Sequence, residues 1–375
     1  MGQDSVFLLV VFSVLIFSAV IQLIYYIWFY LSVVQYKHPA VSLEKRPVSV
    51  IICARNEASN LKEFLPAILE QDYPDFEVIV VNDCSEDNTY DVLGELLPRY
   101  PNLKISNVNK DPKFTHNKKF AQFIGIKAAR NEILLFTDAD CKPESGKWIE
   151  IMTSRFSDAT DFVLGYGGYM AHKGLLNKYI RYDTMTIGMQ YLGMAIRGIP
   201  YMGVGRNLAY RQSVFFRNKG FGSHYNIISG DDDLFVNSNA GRKNCVVEFR
   251  KEAQTRSLPC TTFTQWVKQK KRHFTTAPYY KLKHKLILFS EPASRLLFYL
   301  SCILLLSNLY LWPYVTAVYS LRLVVQAAVF IMVQKRLNEP GIAGFSLLFD
   351  IFSPVINSLI YISNKRRRGN GDKWK

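Results

Sequence analysis

Asn131-Glu132-Ile133-Leu134-Leu135-Phe136-Thr137-Asp138-Ala139-Asp140-Cys141 is the stretch whose reading decides the fold. Ile133 to Phe136 are all apolar and run straight into Asp138 and Asp140. A short apolar run bounded by polar residues predicts a buried strand of a largely parallel sheet. In such sheets ligands sit beyond the carboxyl ends of the strands. Two carboxylates one residue apart at that place suit a divalent cation that also engages a diphosphate. A polar strand-to-loop turn uses Asp as readily, so the pair alone leaves both readings open.

Upstream, Pro47 to Cys53 is rich in β-branched residues and predicts a first strand, Phe76 to Val81 a second and Leu103 to Val108 a third. Helical periodicity separates them over Asn60 to Glu70, Asp91 to Leu97 and Lys118 to Ala129. This alternation predicts a right-handed, doubly wound α/β unit. No G-x-G-x-x-G follows the first strand and no G-x-x-x-x-G-K-[ST] is present, which argues against a dinucleotide fingerprint and a P-loop. Downstream, Trp148 to Phe156 and Leu175 to Met194 predict helices, and Phe162 to Tyr169 a single strand. Arg197 to Arg211 contains Gly198, Gly203 and Gly205, which suit close approach of backbone to a ligand. Ser229-Gly230-Asp231-Asp232-Asp233-Leu234 sets three carboxylates side by side, and their repulsion predicts a raised pKa. An acidic helix start is the competing reading. Gln265 to Thr276 is basic with embedded aromatics and reads as an interfacial helix, with Lys268, Lys270 and Lys271 toward lipid headgroups.

The 375 residues carry 46 basic and 31 acidic side chains, a net charge of +15. Such an excess fits nucleic acid, a membrane surface or phosphorylated substrates. The basic residues flank apolar stretches or lie between 265 and 285, not on an independent recognition module, which argues against nucleic acid. None of the six cysteines is in C-x-x-C spacing, so a zinc site is not expected, and free thiols in a reducing compartment are. Val6 to Val34 carries no charge and reads as an uncleaved anchor with Tyr25, Tyr26, Trp28 and Tyr30 at its far end. Lys37, Lys45 and Arg46 follow it, so the positive-inside bias puts residue 37 onward in the cytoplasm. Leu296 to Trp312 and Tyr314 to Val333 read as a membrane hairpin. Ile342 to Ile362 contains Asp350 and Pro354 between basic flanks, and reads as a re-entrant hairpin, an in-plane helix or a third crossing.

Residues 47 to 274 resemble the family 2 glycosyltransferases, inverting enzymes with a GT-A fold. Val48 to Glu57 looks like the family's first strand and nucleotide loop, and Asn82 to Thr89 like its D-x-S-x-D-x-T turn. Asp138-Ala139-Asp140 looks like the D-x-D motif, Gly230-Asp231-Asp232 like the catalytic-base motif, and Gln269 to His273 like Q-x-x-R-W. The resemblance implies an α/β, GT-A nucleotide-sugar-binding domain with a mixed, mainly parallel sheet, plus N-terminal and C-terminal transmembrane helices. The division it implies is an anchor at 1–36, a cytoplasmic catalytic domain at 37–285 and a membrane region with a basic tail at 286–375.

The same resemblance implies roles. Asp83 would meet the base or ribose of a nucleotide-sugar donor, most naturally a UDP-sugar, with Ala54 and Glu57 beside it. Lys118 would face the diphosphate, and Asp138 would lie near ribose or diphosphate. Asp140, with Asp138, would hold Mg²⁺ or Mn²⁺. Asp232, helped by Asp231 or Asp233, would be the general base, while Gln269 and Arg272 would close over the diphosphate. The acceptor would be a lipid or membrane-proximal saccharide, beside membrane lipids, at a bacterial inner (cytoplasmic) membrane. His273 stands where the family has Trp, which weighs against a processive polysaccharide synthase, the main alternative. A catalytically inactive membrane scaffold is the other.

Overall fold

The computed structural model describes residues 3–109, 117–224, 227 and 229–365. The chain opens with a long helix: α1 (Gln3–Ile24), a π-helical stretch (Tyr25–Tyr30) and α2 (Leu31–Gln35). The α/β region follows with β1 (Val48–Ala54), α3 (Ala58–Leu69), β2 (Phe76–Asp83), α4 (Thr89–Leu96), β3 (Leu103–Val108), α5 (Lys118–Ala128) and β4 (Ile133–Asp138). Next come β5 (Cys141–Pro143), α6 (Trp148–Thr153), β6 (Phe162–Gly165), β7 (Gly167–Tyr169), α7 (Leu175–Ile196), β8 (Leu208–Arg211), α8 (Gln212–Arg217) and α9 (Asp233–Asn239). The last elements are β9 (Cys245–Glu248), β10 (Thr255–Ser257), α10 (Phe263–Phe274), α11 (Leu282–Leu305), α12 (Trp312–Arg336) and α13 (Ala343–Lys365).

Seven strands form one mixed sheet in the order β3-β2-β1-β4-β8-β6-β9. β3, β2, β1 and β4 run parallel, and β8 lies antiparallel to both β4 and β6. Alternate residues of β1 and β4 feed two cores, as a pleated strand requires. Val50, Ile52 and Leu135 pack with Leu61, Leu65 and Trp148 on one face. Ile51, Leu134 and Phe136 pack with Met185, Met189 and Leu192 of α7 on the other. That second core continues without a break into Tyr26, Tyr30 and Phe330 of the apolar helices, so sheet and membrane region share one interior.

The π-helical stretch makes this junction. A wider turn rotates the following residues relative to an α-helix, and Tyr25, Tyr26, Phe29 and Tyr30 are all buried. Before it, Leu15 and Ala19 pack against Phe298 of α11. Within it, the Phe29 carbonyl lies against Gly193 of α7, where any Cβ would overlap it. Gly193→Val is therefore expected to lower the thermal midpoint of the detergent-solubilised chain by the equivalent of about 1–3 kcal/mol, read by a melting scan against Gly94→Ala, a position with open space.

The expected single strand at Phe162 to Tyr169 is two. Tyr166 interrupts it, and β7 leaves the large sheet to join β5 and β10 in a three-stranded one. Gly165 and Gly167 permit the switch: a side chain at either would collide with Asn207 or Arg206. Lys270 also departs from its expected place toward lipid. It is buried, with Nζ 3.0 Å from a carboxylate oxygen of Asp183 in α7, whereas Lys268 is exposed.

Among the described residues, four helices are long and apolar enough to cross a membrane, spanning Ser5–Gln35, Leu282–Leu305, Trp312–Arg336 and Ala343–Asn364. α11 begins before residue 286, so a boundary at 285 falls within a helix. α13 is continuous through Pro354, which rules out the re-entrant hairpin. Both its ends rest on the α/β region: Lys178 stands 4.0 Å from the Phe345 ring, and Asn364 Nδ2 donates to the Lys271 carbonyl at 2.8 Å. Between them Asp350 pairs with Arg295 of α11 and Arg322 of α12.

Candidate active site

β4 ends on Asp138, and the turn that follows buries Ala139 and leaves Asp138 and Asp140 both partly exposed. Two carboxylates therefore emerge on one side of the sheet crest. Their oxygens and the Cys141 Sγ lie within 4.8 Å of one another. Cys141 is fully buried, its thiol against Ser257 Oγ, so the aspartates are the donors that face outward. Hard oxygen donors in that set fit Mg²⁺ or Mn²⁺.

Lys118 brings the distant motifs together. Asn117 caps α5 by accepting from the Phe120 N–H at 3.0 Å, which fixes Lys118 at the first turn. Its Nζ donates to Asp138 Oδ1 at 2.7 Å and lies 3.5 Å from Asp231 Oδ2. Burial opposes its charge, but Asp138, Asp231 and Asp232 more than offset this and raise its pKa. Burial would push Asp138 up, yet Lys118, Arg206 and Arg272 hold it below the usual carboxylate value. The neighbouring Lys119 has a different task. It is buried and donates to the carbonyls of His224 (2.7 Å) and Ile227 (2.6 Å), pinning the segment ahead of the Asp triad.

The triad divides its labour. Asp232 caps α9, accepting from the Asp233 N–H at 2.7 Å and from the Gly205 N–H. Burial first, then repulsion from Asp231 and Asp233, pushes its pKa up to about 7, so the raised value and the helix start expected as rivals coexist in one residue. Asp231 is buried, and its Oδ2 accepts no hydrogen bond. Asp233 is structural, accepting from the hydroxyls of Thr276 and Tyr280 (2.7 Å for the latter) and so tying α9 to the α10–α11 junction.

The remaining expected residues frame the cleft. Ala54 ends β1 and Asp83 ends β2, both with no exposed surface. The loops after them are cross-tied: Asn56 N–H donates to Ser85 Oγ at 3.0 Å, Glu86 N–H to Asn56 Oδ1 at 2.7 Å, and Glu57 N–H to Thr89 Oγ1 at 2.9 Å. Asn56 and Cys84 both take left-handed backbone there, φ 57° and 53°. Thr262 and Gln265 form a capping box that starts α10, and this helix supplies Gln269, Arg272 and His273. Gln269 Oε1 accepts from Tyr169 Oη at 3.2 Å. His273 is accessible, and its pKa is lowered by desolvation first and then by the cations Arg272, Lys270, Arg206 and Lys118. Arg206 and Tyr169 were not singled out in the sequence; a glycine-rich loop containing an arginine carries no signal of where that arginine points.

A mixed sheet with a doubly wound parallel half, a carboxylate pair at its crest and a second acidic motif across the cleft define a GT-A-like α/β fold. Residues 49–216 match the Glycosyl transferase family 2 model. Glycosyltransferase AglE of Haloferax volcanii is 30% identical over 187 residues, 49% of this chain and 58% of that protein. The probable glycosyltransferase YdaM of Bacillus subtilis is 28% identical over 261 residues, 64% of this chain and 60% of that one. The alignments thus span about three fifths of the length of these curated relatives. The fold is also that of the mannosyltransferase PcManGT from Pyrobaculum calidifontis, solved with GDP-Man and Mn²⁺. That likeness has a TM-score of 0.58 at 16% identity and covers 91% of this chain and 98% of the other.

Proposed function

We infer that the protein is an inverting glycosyltransferase that moves a sugar from a nucleoside-diphosphate donor to a hydroxyl of a lipid or membrane-proximal saccharide. The observation that carries this reading is the Asp138–Lys118–Asp231 bridge, which places donor-side and acceptor-side carboxylates around one ammonium. The cross-tied loops after β1 and β2 would hold the nucleoside, in the crevice where such sheets bind ligands. Asp138 and Asp140 would hold Mg²⁺ or Mn²⁺, which when bound neutralises charge on the leaving diphosphate. Asp232, with a pKa of about 7, is matched to a general base at neutral pH. It takes the acceptor proton as the acceptor oxygen attacks the anomeric carbon from the side opposite the diphosphate. Lys118 and Arg272 bind the departing phosphate oxygens, Arg272 as a planar fork. α10 carries Arg272 and His273 on the cleft and meets α13 at Lys271, which supports an acceptor arriving from the membrane side.

A panel of UDP-, GDP- and dTDP-sugars with Mg²⁺ or Mn²⁺ tests this. One donor is expected to raise the thermal midpoint of the detergent-solubilised chain, since a ligand of the native state stabilises it. Asp140→Ala should abolish the metal-dependent part of that shift. Stabilisation by none of the donors, or full metal-dependent stabilisation of Asp140→Ala, would overturn the assignment.

A further inference from the structure

Four arginines are buried, Arg181, Arg256, Arg295 and Arg322, and each pairs with a carboxylate. Arg206 is half-buried beside Asp138, yet it pairs with no carboxylate among the described residues. It is nonetheless held firmly. Its carbonyl accepts from Thr137 Oγ1 at 3.1 Å and Thr255 Oγ1 at 2.8 Å. Its stem occupies the space left by Gly167, where a Cβ would overlap Cγ and Cδ. Its guanidinium stands 4.4 Å from the centre of the Tyr169 ring, and the Tyr169 hydroxyl is fixed in turn by Gln269. A fixed, partly desolvated guanidinium that only shares the charge of Asp138, already bonded to Lys118, is poorly compensated on its own. It is favourable once an anion arrives, and its five donors suit phosphate oxygens.

We propose that Arg206 is a substrate-binding residue that holds a phosphoryl group on the Asp138 side of the cleft, with Tyr169 as its positioning residue. The proposal rests on the glycosyltransferase reading of the same cleft. Two sources share this chemistry: the diphosphate of the donor and the phosphate of a lipid-linked acceptor.

Arg206→Gln and Arg206→Lys in the full-length, detergent-solubilised chain test it. In one arm UDP, GDP and dTDP are titrated with Mn²⁺, and in the other a long-chain prenyl phosphate is titrated; both are read by thermal stabilisation. Arg206→Gln should raise the concentration for half-maximal stabilisation by about tenfold or more, the scale of one charge-assisted contact, and Arg206→Lys by less. Its unliganded midpoint should stay close to that of the wild type, because no ion pair is broken. Loss in the nucleotide arm assigns the donor diphosphate, and loss confined to the lipid arm assigns an acceptor phosphate. Unchanged titrations in both arms, against a wild type that binds, overturn the proposal alone. A wild type that no nucleotide stabilises and no prenyl phosphate binds overturns the underlying reading with it.

Discussion

Asp232→Asn should lower kcat by about 10²–10⁴-fold, the usual contribution of a general base, while leaving the donor-induced thermal shift intact. The amide retains an oxygen for one of the two backbone donors that hold Asp232, Gly205 N–H and Asp233 N–H, so the loop geometry is largely preserved. The wild-type pH profile carries the complementary signature. Asp232 titrates at about 7 and works deprotonated, so kcat/KM should rise through pH 7 and fall on acidification. Repulsion from Asp231 is the second cause of that raised value, after burial. Asp231→Asn removes a neighbouring negative charge, so the acid limb should move to lower pH. Steady-state kinetics from pH 5.5 to 8.5 (roughly the window around the titration) would read both effects. An Asp232→Asn variant with wild-type kcat would shift the base role to Asp231, whose Oδ2 accepts no hydrogen bond and lies 3.5 Å from Lys118 Nζ.

Much of this arrangement was legible in the chain. Apolar runs ending in polar residues located β1, β2 and β4 because a strand buried on both faces tolerates little else. The Asp138-Ala139-Asp140 motif stood out because it closes an apolar run, and ligands of such sheets sit beyond the carboxyl ends of the strands. What escaped reading depends on partners far away in sequence. Lys270 fits an amphipathic surface pattern, and only the fold brings it to Asp183, 87 residues earlier. The break at Tyr166 sits inside a run with strong strand character, and its cause is the bulk of Asn207 and Arg206 opposite two glycines. The path of α13 was open because basic flanks on both sides conflict with a simple crossing. Contacts of its two ends with α7 and α10 explain how both flanks stay near the α/β region. Arg206 was missed because what marks it is a counter-charge that is not there, and no sequence pattern records that.

Glu339 was also passed over, as part of a short connection between two apolar helices, yet its removal should have the largest structural effect outside the cleft. It has no exposed surface. It pairs with Arg181 Nε at 2.8 Å and with Arg256 Nη1, and it accepts from Tyr166 Oη at 3.0 Å. Arg256 reaches further, donating to the carbonyls of Leu337 and Asn338 and to Glu144 Oε1. Glu339→Ala takes from Arg181 its carboxylate and leaves Arg256 with Glu144 alone, a change that costs about 3–5 kcal/mol. The thermal midpoint should therefore fall by more than about 5 °C. The damage should also reach the Asp138–Asp140 pair proposed to hold the metal. Arg256 lies in β10, which pairs with β5 immediately after Asp140, and the Leu258 N–H donates to the Asp140 carbonyl at 3.3 Å. Glu339→Ala should thus need more Mn²⁺ for the same donor-induced shift, although Glu339 belongs to the turn between α12 and α13. Glu339→Gln keeps the oxygen that Tyr166 and one arginine address, and should lie between Ala and wild type on both readouts. A Glu339→Ala chain that melts with the wild type, or one that melts low but keeps its Mn²⁺ requirement, would separate the membrane-side turn from the Asp140 strand and sink the coupling.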